Sequence, residues 1–259
     1  MSATAERVVL ERRGTTALVT VNRPEARNAM TFAMYDALHD CCEQVDNDPG
    51  LRALVVRGGN GNFAAGTDIA EFRDFSSGED GVAYERRLER IVTRVETVAK
   101  PTIAMIEGHA VGGGLAIAAA CDLRVCTPEA KFGMPIARTL GNCLSVENIA
   151  RLVALIGAGR TKELIFTARS FSAQEALAAG LATAIARPEE LEASVLELAE
   201  RIGAQAPLTL RATKEAIRRA RVTGLPESDD LVSMCYGSED FREGVAAFND
   251  RRRPVWRGA

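Results

Sequence analysis

Three consecutive glycines, Gly112 to Gly114, stand directly before the helix-like apolar run from Leu115 to Ala120. Glycines at the start of a helix let another group come close to the backbone, where free N–H groups and the helix dipole point at it. Such a place binds a phosphate, a carboxylate or a developing oxyanion. The same glycines could instead serve only close helix packing, and their spacing alone leaves both interpretations open.

The spacing argues against the common nucleotide-binding motifs. Gly112 to Gly114 lead into Leu115 and Ala116 without the lysine of a phosphate-binding loop. A dinucleotide fingerprint would need a glycine at the position of Ile117.

A second stretch of small residues, Asn62 to Phe72, also follows a predicted strand, and Asp68 within it can begin a short helix. Both loops would lie at the carboxyl ends of parallel strands, where open α/β sheets place their ligands. We therefore expect two N–H groups, one from each loop, to hold a single oxygen.

The elements that must position these loops alternate between strand and helix up to about residue 133, which favours parallel βαβ units. After that point helices predominate, with one short strand among them. The polar stretch from Arg73 to Asp80 is predicted to be a flexible loop. The predicted strands are Val8 to Glu11, Thr16 to Val21, Ala53 to Arg57, Thr102 to Ile106, Asp122 to Cys126 and Ala182 to Ala186. The main predicted helices are Thr31 to Val45, Leu88 to Lys100, Leu115 to Ala120, Ser145 to Leu155, Thr161 to Thr167, Ala173 to Ala178, Glu189 to Gln205, Pro207 to Val222 and Ser238 to Asn249.

The composition argues against several kinds of binding partner and against a metal site. The 259 residues carry a formal net charge of −3, which argues against a nucleic-acid-binding surface. No apolar stretch is long enough to cross a membrane, and no signal peptide is evident. Six cysteines form no CxxC pair and only two histidines occur, so we expect no metal site and reduced thiols in the cytoplasm.

Five segments in order and spacing resemble the crotonase family, which includes the enoyl-CoA hydratases and isomerases. They are NRPEARNAM (22–30), FAAGTDIAEF (63–72), KPTIAMIEGHAVGGG (100–114), CDLRVCTPEAKFGMP (121–135) and SAQEALAAGLA (172–182). The C-terminal EDFREGVAAFNDRRRPVW (239–256) fits the family too, so the resemblance covers nearly the whole chain.

The resemblance implies an α/β fold with a spiral core of repeated ββα units, here residues 1–195. It implies a C-terminal helical region, here 196–259, that builds a homotrimer or a dimer of trimers. It also implies an acyl-CoA substrate in fatty acid metabolism, with coenzyme A as part of the thioester and no separate cofactor.

The resemblance further places the thioester carbonyl between the backbone N–H groups of Thr67 and Gly113, the two loops that the spacing argument reached independently. Moving a proton next to a thioester gives the carbonyl oxygen enolate character, and two preorganised donors stabilise that charge.

The resemblance also implies which residues contact coenzyme A, from their positions in the matching segments. Glu25, Ala26 and Arg27 fall where the family meets the phosphates and pantetheine. Ala65, Asp68 and Ile69 fall where it meets the adenine and the bent chain. Arg27 could equally be an ordinary surface arginine, and Asp68 a helix cap.

The chain departs from the family at the two acids. Hydratases of the family carry glutamates at the positions of Ala116 and Ile136, and neither side chain here can move a proton. These residues would instead give an apolar acyl pocket, to which Cys143 could contribute, although a lone thiol is also typical of packing.

The resemblance also implies that isomerases of the family use a glutamate further along, at a position that corresponds to about Ser145. The nearest acid is Glu147, two residues on, and two residues turn a helix by roughly 200°. Glu147 is therefore either the catalytic base or a residue of the first helical turn, where its charge favours the dipole.

The sequence thus predicts an acyl-CoA enzyme, hydratase- or isomerase-like, with a backbone oxyanion hole and non-standard acid and base. Two alternatives remain at this point. One is a non-catalytic acyl-CoA-binding member of the family, and the other is a hydrolase of carbon–carbon bonds with the same fold.

Overall fold

A computed structural model describes residues 7–223, 239, 240, 243, 247, 250, 252 and 254–259. The helix predicted from Ser238 to Asn249 therefore lies mostly outside the described residues. The predicted division after residue 195 falls inside a helix, Pro188–Gly203, and the two-part organisation stays a prediction.

The described strands form two sheets. In chain order they are β1 (Val8–Arg13), β2 (Thr16–Val21), β3 (Ala53–Gly58), β4 (Thr102–Ile106), β5 (His109–Val111), β6 (Leu123–Cys126), β7 (Lys131–Gly133), β8 (Ser170–Ser172) and β9 (Ala184–Ile185). The larger sheet has the order β1-β2-β3-β4-β6-β9, and the smaller has the order β5-β7-β8. In the larger sheet β1 and β2 form an antiparallel hairpin and the other neighbours pair in parallel, which confirms the predicted α/β class.

Eight α-helices lie within the described residues. They are α1 (Phe32–Asn47), α2 (Gly78–Glu96), α3 (Gly113–Ala120), α4 (Ile136–Thr139), α5 (Val146–Phe166), α6 (Ala173–Ala178), α7 (Pro188–Gly203) and α8 (Pro207–Thr223). Two short 3₁₀ helices, Pro24–Ala26 and Ile69–Phe72, lie in the loops after β2 and β3. The predicted cap of α1 is confirmed, since the Thr31 side chain accepts a hydrogen bond from the N–H of Met34.

The parallel strands are buried on both faces. Leu54 and Val56 of β3 pack with α1, α2 and α3, whereas Val55 on the opposite face packs with Leu191 and Val195 of α7. Successive side chains of a strand point to opposite faces, so a continuous apolar run is what a sheet covered by helices on both sides requires.

The prediction of a loop from Arg73 to Asp80 was wrong at its end, because α2 begins at Gly78. The Ser77 side chain accepts from the Asp80 N–H, and the Asp80 carboxylate accepts from the Ser77 N–H. This reciprocal capping box makes the polar stretch a helix start.

Two further points concern the small sheet and the span α5. Each strand of the small sheet has three residues, too few to show an alternating pattern. The two helices predicted between Ser145 and Thr167 are confirmed, because the span α5 is interrupted at Gly157, whose φ of +75° and ψ of 160° are not helical.

Asn28 joins the loop after β2 to the loop after β3. Its amide nitrogen donates to the carbonyls of Gly59 (2.8 Å) and Asn62 (2.6 Å), and its Oδ1 accepts from the N–H of Arg23 (2.7 Å). The side chain is completely buried, so these bonds satisfy polar groups that water does not reach.

We expect Asn28→Asp to lower the free energy of unfolding by about 2 kcal/mol or more, because a carboxylate oxygen would face two buried carbonyls that then lack a donor. Urea unfolding followed by circular dichroism measures the loss. Asn60→Asp, an exposed change in the same loop, is the matched control and should have little effect. Equal losses in the two variants would show that Asn28 does not hold the loops together.

Candidate active site

The two loops singled out by their small residues lie side by side. Ala64 and Ala110 form a parallel bridge. In it the Ala64 N–H donates to the carbonyl oxygen of His109 (2.9 Å), and the Val111 N–H donates to the carbonyl oxygen of Ala64 (3.0 Å). Gly112 has φ +55° and ψ −122°, and a Cβ there would lie 3.7 Å from the Cα of Gly66. The expectation that both loops meet at one edge of the sheet is confirmed.

The N–H groups of Thr67 and Gly113 are open in this arrangement. The N–H groups of the residues next to them do form hydrogen bonds. Gly112 N–H donates to the carbonyl oxygen of Gly133 (2.9 Å), and Asp68 N–H donates to the carbonyl oxygen of Met30 (2.9 Å). Neither Thr67 N–H nor Gly113 N–H donates a hydrogen bond to any acceptor among the described residues. Gly113 is also the first residue of α3, where helical N–H groups have no partner within the helix.

The side chain of Thr67 is the middle member of a chain of three hydrogen-bonded hydroxyl groups. Thr67 Oγ1 lies 2.9 Å from Tyr35 Oη and 2.8 Å from Tyr84 Oη. A Cβ on Gly113 would lie 2.1 Å from Tyr35 Oη, so the buried tyrosine occupies the space that a side chain at 113 would need. Sequence reasoning missed both tyrosines, which are far from Thr67 along the chain.

The hydroxyls of this chain stay protonated at neutral pH. Burial raises the pKa of Tyr35, with a further contribution from the charge of Glu85. Burial also raises the pKa of Tyr84, to about 12. Each hydroxyl thus remains available as a hydrogen-bond donor.

The residues predicted to contact coenzyme A lie in the loop after β3, called here the first loop, and in the neighbouring loop after β2. Glu25 and Arg27 are exposed, and Arg27 adopts the left-handed conformation (φ +50°) after the 3₁₀ helix that contains Ala26. Ala65 N–H donates to the carbonyl of Arg27 (3.1 Å), so these two predicted groups are neighbours. Ile69 is 62% exposed, which leaves an apolar side chain open to a ligand.

Asp68 has the structural role that the sequence suggested as its alternative. Its Oδ1 accepts from the N–H of Ala70 (3.0 Å), and its Oδ2 lies 2.6 Å from Arg23 Nη1. The Ala70 hydrogen bond and then the Arg23 hydrogen bond hold the pKa of Asp68 below its usual range. The cap is confirmed, and the contact with coenzyme A stays a prediction.

A cavity of about 970 Å³ lies between the start of α2 and the segment before α5. Its lining combines aromatic and aliphatic side chains with three carboxylates, and Tyr84 connects it to Thr67. The rings of Phe72 and Tyr84 make an edge contact with centroids 4.8 Å apart. The lining residues are Phe72, Phe75, Ser77, Gly78, Gly81, Val82, Tyr84, Glu85, Arg86, Glu89, Leu140, Gly141, Asn142, Cys143, Leu144, Ser145, Val146 and Glu147.

The two carboxylates that α2 contributes to the cavity, Glu85 and Glu89, differ in environment. Burial raises the pKa of Glu85, against the Ser145 N–H that donates to it (2.9 Å). Burial also opposes ionisation of Glu89, but the hydrogen bonds from Arg151, Thr93 and Ser145 and the charge of Arg151 together outweigh it and lower the pKa of Glu89 overall. Sequence reasoning missed both residues, which sit in an ordinary charged stretch of α2.

Of the residues that the sequence predicted as acid or pocket residues, some line the cavity and others do not. Ser145 caps α5 and Glu147 is exposed in its first turn, as the helix-start interpretation required, and Glu147 also lines the cavity. Cys143 is exposed and lines the same cavity. Ala116 is buried in the core and Ile136 packs against it, and neither belongs to this lining.

Among the described residues, one group has the spacing of metal ligands. His39, Asp40 and Glu43 lie within reach of one another on α1, but Asp40 and Glu43 are exposed, and such surface groups commonly hold no ion. None of the described helices combines the length and the apolar character needed to cross a bilayer.

Comparison with known proteins agrees with this geometry. The family model of enoyl-CoA hydratase/isomerase matches residues 11–259. A short-chain-enoyl-CoA hydratase of Clostridium acetobutylicum is 34% identical over 251 residues, with 95% of each chain covered. A crotonyl-CoA hydratase of Syntrophomonas wolfei is 32% identical, with 96% of each chain covered.

Solved structures agree as well. The crystal structure of an enoyl-CoA hydratase/carnithine racemase from Magnetospirillum magneticum has a TM-score of 0.90 and 32% identity, covering 98% of this chain and 96% of its own. Fold and loop geometry together define a crotonase-type protein. The chain belongs to the enoyl-CoA hydratase/isomerase family.

We expect Gly113→Ala to lower the free energy of unfolding by roughly 1–3 kcal/mol, because the new methyl group collides with Tyr35 Oη. In a Tyr35→Phe background that oxygen is absent, and the same substitution should cost clearly less. Thermal or urea unfolding of the four proteins in the cycle measures the coupling.

Gly114→Ala is the matched control for this cycle. Its Cβ would lie 2.3 Å from the backbone oxygen of Ala64, which Tyr35→Phe leaves in place. Its cost should be equal in both backgrounds. A Gly113→Ala cost that is also equal in both would contradict the contact between Gly113 and Tyr35.

Proposed function

We propose that the protein binds an acyl-CoA thioester and stabilises its enolate between the N–H groups of Thr67 and Gly113. The observation that carries the proposal is the pair of open amides on adjacent loops, one of them at the start of α3. Membership of the enoyl-CoA hydratase/isomerase family supports the acyl-CoA substrate.

The chemistry explains why backbone amides suffice. When the carbon next to a thioester loses or gains a proton, negative charge develops on the carbonyl oxygen. Each preorganised donor aimed at that oxygen lowers the barrier by roughly 3 kcal/mol. The donors need no particular side chain, so Thr67 is free to use its hydroxyl for the tyrosine chain.

The cavity beside Tyr84 is the proposed acyl pocket. Phe72, Phe75 and Leu144 offer apolar surface there, so an apolar or aromatic acyl group matches it better than a charged one. Ala116 and Ile136, in place of the two hydratase glutamates, make hydration by paired glutamates a poor match for this chain.

Coenzyme A itself would lie over the first loop. Arg27 is exposed and has no ion-pair partner within the described part of the chain, so its guanidinium is available to a phosphate. Ile69 offers apolar surface nearby. Coenzyme A enters as part of the substrate, and the homotrimer or dimer of trimers and the cytoplasmic location stay predictions.

A backbone ester in place of the Thr67 amide tests the oxyanion role, since it removes the N–H and leaves the side chain. We expect deuterium exchange at the α-carbon of phenylacetyl-CoA in deuterium oxide, followed by proton NMR, to fall by roughly 100- to 1,000-fold. The benzylic α-protons make this thioester a sensitive probe.

An ester at Ala70 is the control, because it removes a loop hydrogen bond to Asp68 but none of the open amides. It should leave exchange close to that of the unmodified protein. An ester at Thr67 that exchanges as fast as the one at Ala70 would show that the Thr67 amide does not hold the oxygen.

Alkylation of Cys143 by iodoacetamide tests the acyl pocket. Burial raises the pKa of the other described cysteines, to about 11 for Cys41 and Cys126 and about 12 for Cys42 and Cys121, so these thiols should react slowly. Saturating phenylacetyl-CoA should slow the reaction at Cys143, read by peptide mass spectrometry, and acetyl-CoA should protect it less. Equal protection by the two thioesters would place the acyl group elsewhere.

A further inference from the structure

The carboxylate of Glu85 is held by one oxygen and has the other free. Its Oε2 accepts the N–H of Ser145 at 2.9 Å, whereas Oε1 accepts no hydrogen bond from any described residue. The side chain is half-buried and lines the cavity beside Tyr84. A fixed carboxylate with one free oxygen in a pocket is the arrangement that a general base requires.

We propose that Glu85 is the residue that takes and returns the proton at the carbon next to the thioester. The inference rests on the proposed function and adds the acid/base residue that the family's usual positions lack here. Nothing in the sequence around Glu85 marks it for this role.

Glu85 is next in the chain to Tyr84, whose hydroxyl group is hydrogen-bonded to Thr67, one of the two residues with an open amide. Tyr84 precedes Glu85 in α2 and reaches Thr67 through a 2.8 Å hydrogen bond. The charge of Glu85 contributes to the raised pKa of Tyr84 and also to that of Tyr35, whose hydroxyl lies against Gly113. The cavity that Glu85 lines is thus connected through Tyr84 to the loop that carries the Thr67 amide.

The position of the carboxylate also matches the expectation from the isomerases. Their glutamate aligns near Ser145, and in this protein the carboxylate of Glu85 sits against the Ser145 N–H. The acid reaches that place from α2 across the pocket instead of from α5. Glu147, the sequence-predicted base, is two residues further on and exposed.

The surroundings suit a base that must also return its proton. Burial raises the pKa of Glu85, the Ser145 hydrogen bond lowers it, and the charge of Glu89 one helical turn along raises it. Arg151 keeps Glu89 ionised through bonds of 3.0 and 2.7 Å. Two carboxylates with pKa values displaced in opposite directions are typical of acid/base sites.

The step is a proton transfer that balances without a further reactant. The free oxygen of Glu85 takes the α-proton, and the electron pair of the C–H bond moves toward the thioester. The resulting charge on the carbonyl oxygen rests between the Thr67 and Gly113 amides. Return of the proton, or of a deuteron after exchange with solvent, restores the thioester and the carboxylate.

Glu85→Gln tests the proposal with phenylacetyl-CoA in deuterium oxide. Glutamine can still accept the Ser145 hydrogen bond, so fold and binding should be retained, while α-deuteration should fall by roughly 100- to 10,000-fold. Proton NMR gives the exchange rate, titration calorimetry gives the Kd, and circular dichroism reports the fold.

Two further variants sharpen the test. Glu79→Gln lies on the exposed first turn of α2, outside the cavity lining, and should exchange at the unsubstituted rate. Glu147→Gln examines the competing base; because Glu147 also lines the pocket, some loss of exchange is expected, but a much smaller loss than in Glu85→Gln. Loss of exchange in Glu147→Gln with retention in Glu85→Gln would overturn the assignment to Glu85.

The failures can be told apart. If the unsubstituted protein and Glu85→Gln exchange equally, the role of Glu85 is wrong and the enolate function stands. If the unsubstituted protein neither binds nor deuterates the thioester, the proposed function fails and the role of Glu85 fails with it. A Glu85→Gln variant that loses binding along with exchange would make Glu85 a residue of the pocket wall and not the base.

Discussion

The close backbone contact between two loops is the constraint on which the rest of the site depends. A Cβ on Gly112 would be in van der Waals contact with the Cα of Gly66, at 3.7 Å, and the bridge between Ala64 and Ala110 fixes the register. Two amides can point at one small volume only if no side chains separate the loops. The parallel strands β3 and β4 bring the loops to the same edge, and the glycines then allow contact.

The space that the glycines leave is filled with hydroxyl groups. Tyr35 comes from α1, Thr67 from the first loop and Tyr84 from α2, so three separate parts of the chain converge behind the amides. A buried hydroxyl chain of this kind is satisfied only in one arrangement, because each oxygen needs its neighbour as donor or acceptor. The orientation of the Thr67 amide thus follows from the packing of two helices against the sheet.

Sequence patterns anticipated the parts of this arrangement that are local. The apolar runs of β3 and β4, the cap at Thr31 and the glycines before α3 depend on neighbouring residues and were predicted from them. The strands of the small sheet have three residues each and carry no usable period. Glu85 and Tyr84 lie in a charged helical stretch, and their role depends on Ser145 and Thr67, 60 and 17 residues away in the sequence.

The proposed absence of both usual glutamates has a physical counterpart in this chain. Ala116 lies in the core on α3, where an ionised side chain would need a partner that the surrounding apolar residues do not provide. The carboxylates of α2 have such partners: Glu89 has Arg151, and Glu85 has the N–H of Ser145, the residue that caps α5. In the proposed site, α2 thus supplies carboxylates from the opposite wall of the pocket. Hydrogen bonds and the charge of Arg151 outweigh burial at Glu89, whereas at Glu85 burial outweighs the Ser145 hydrogen bond and raises the pKa.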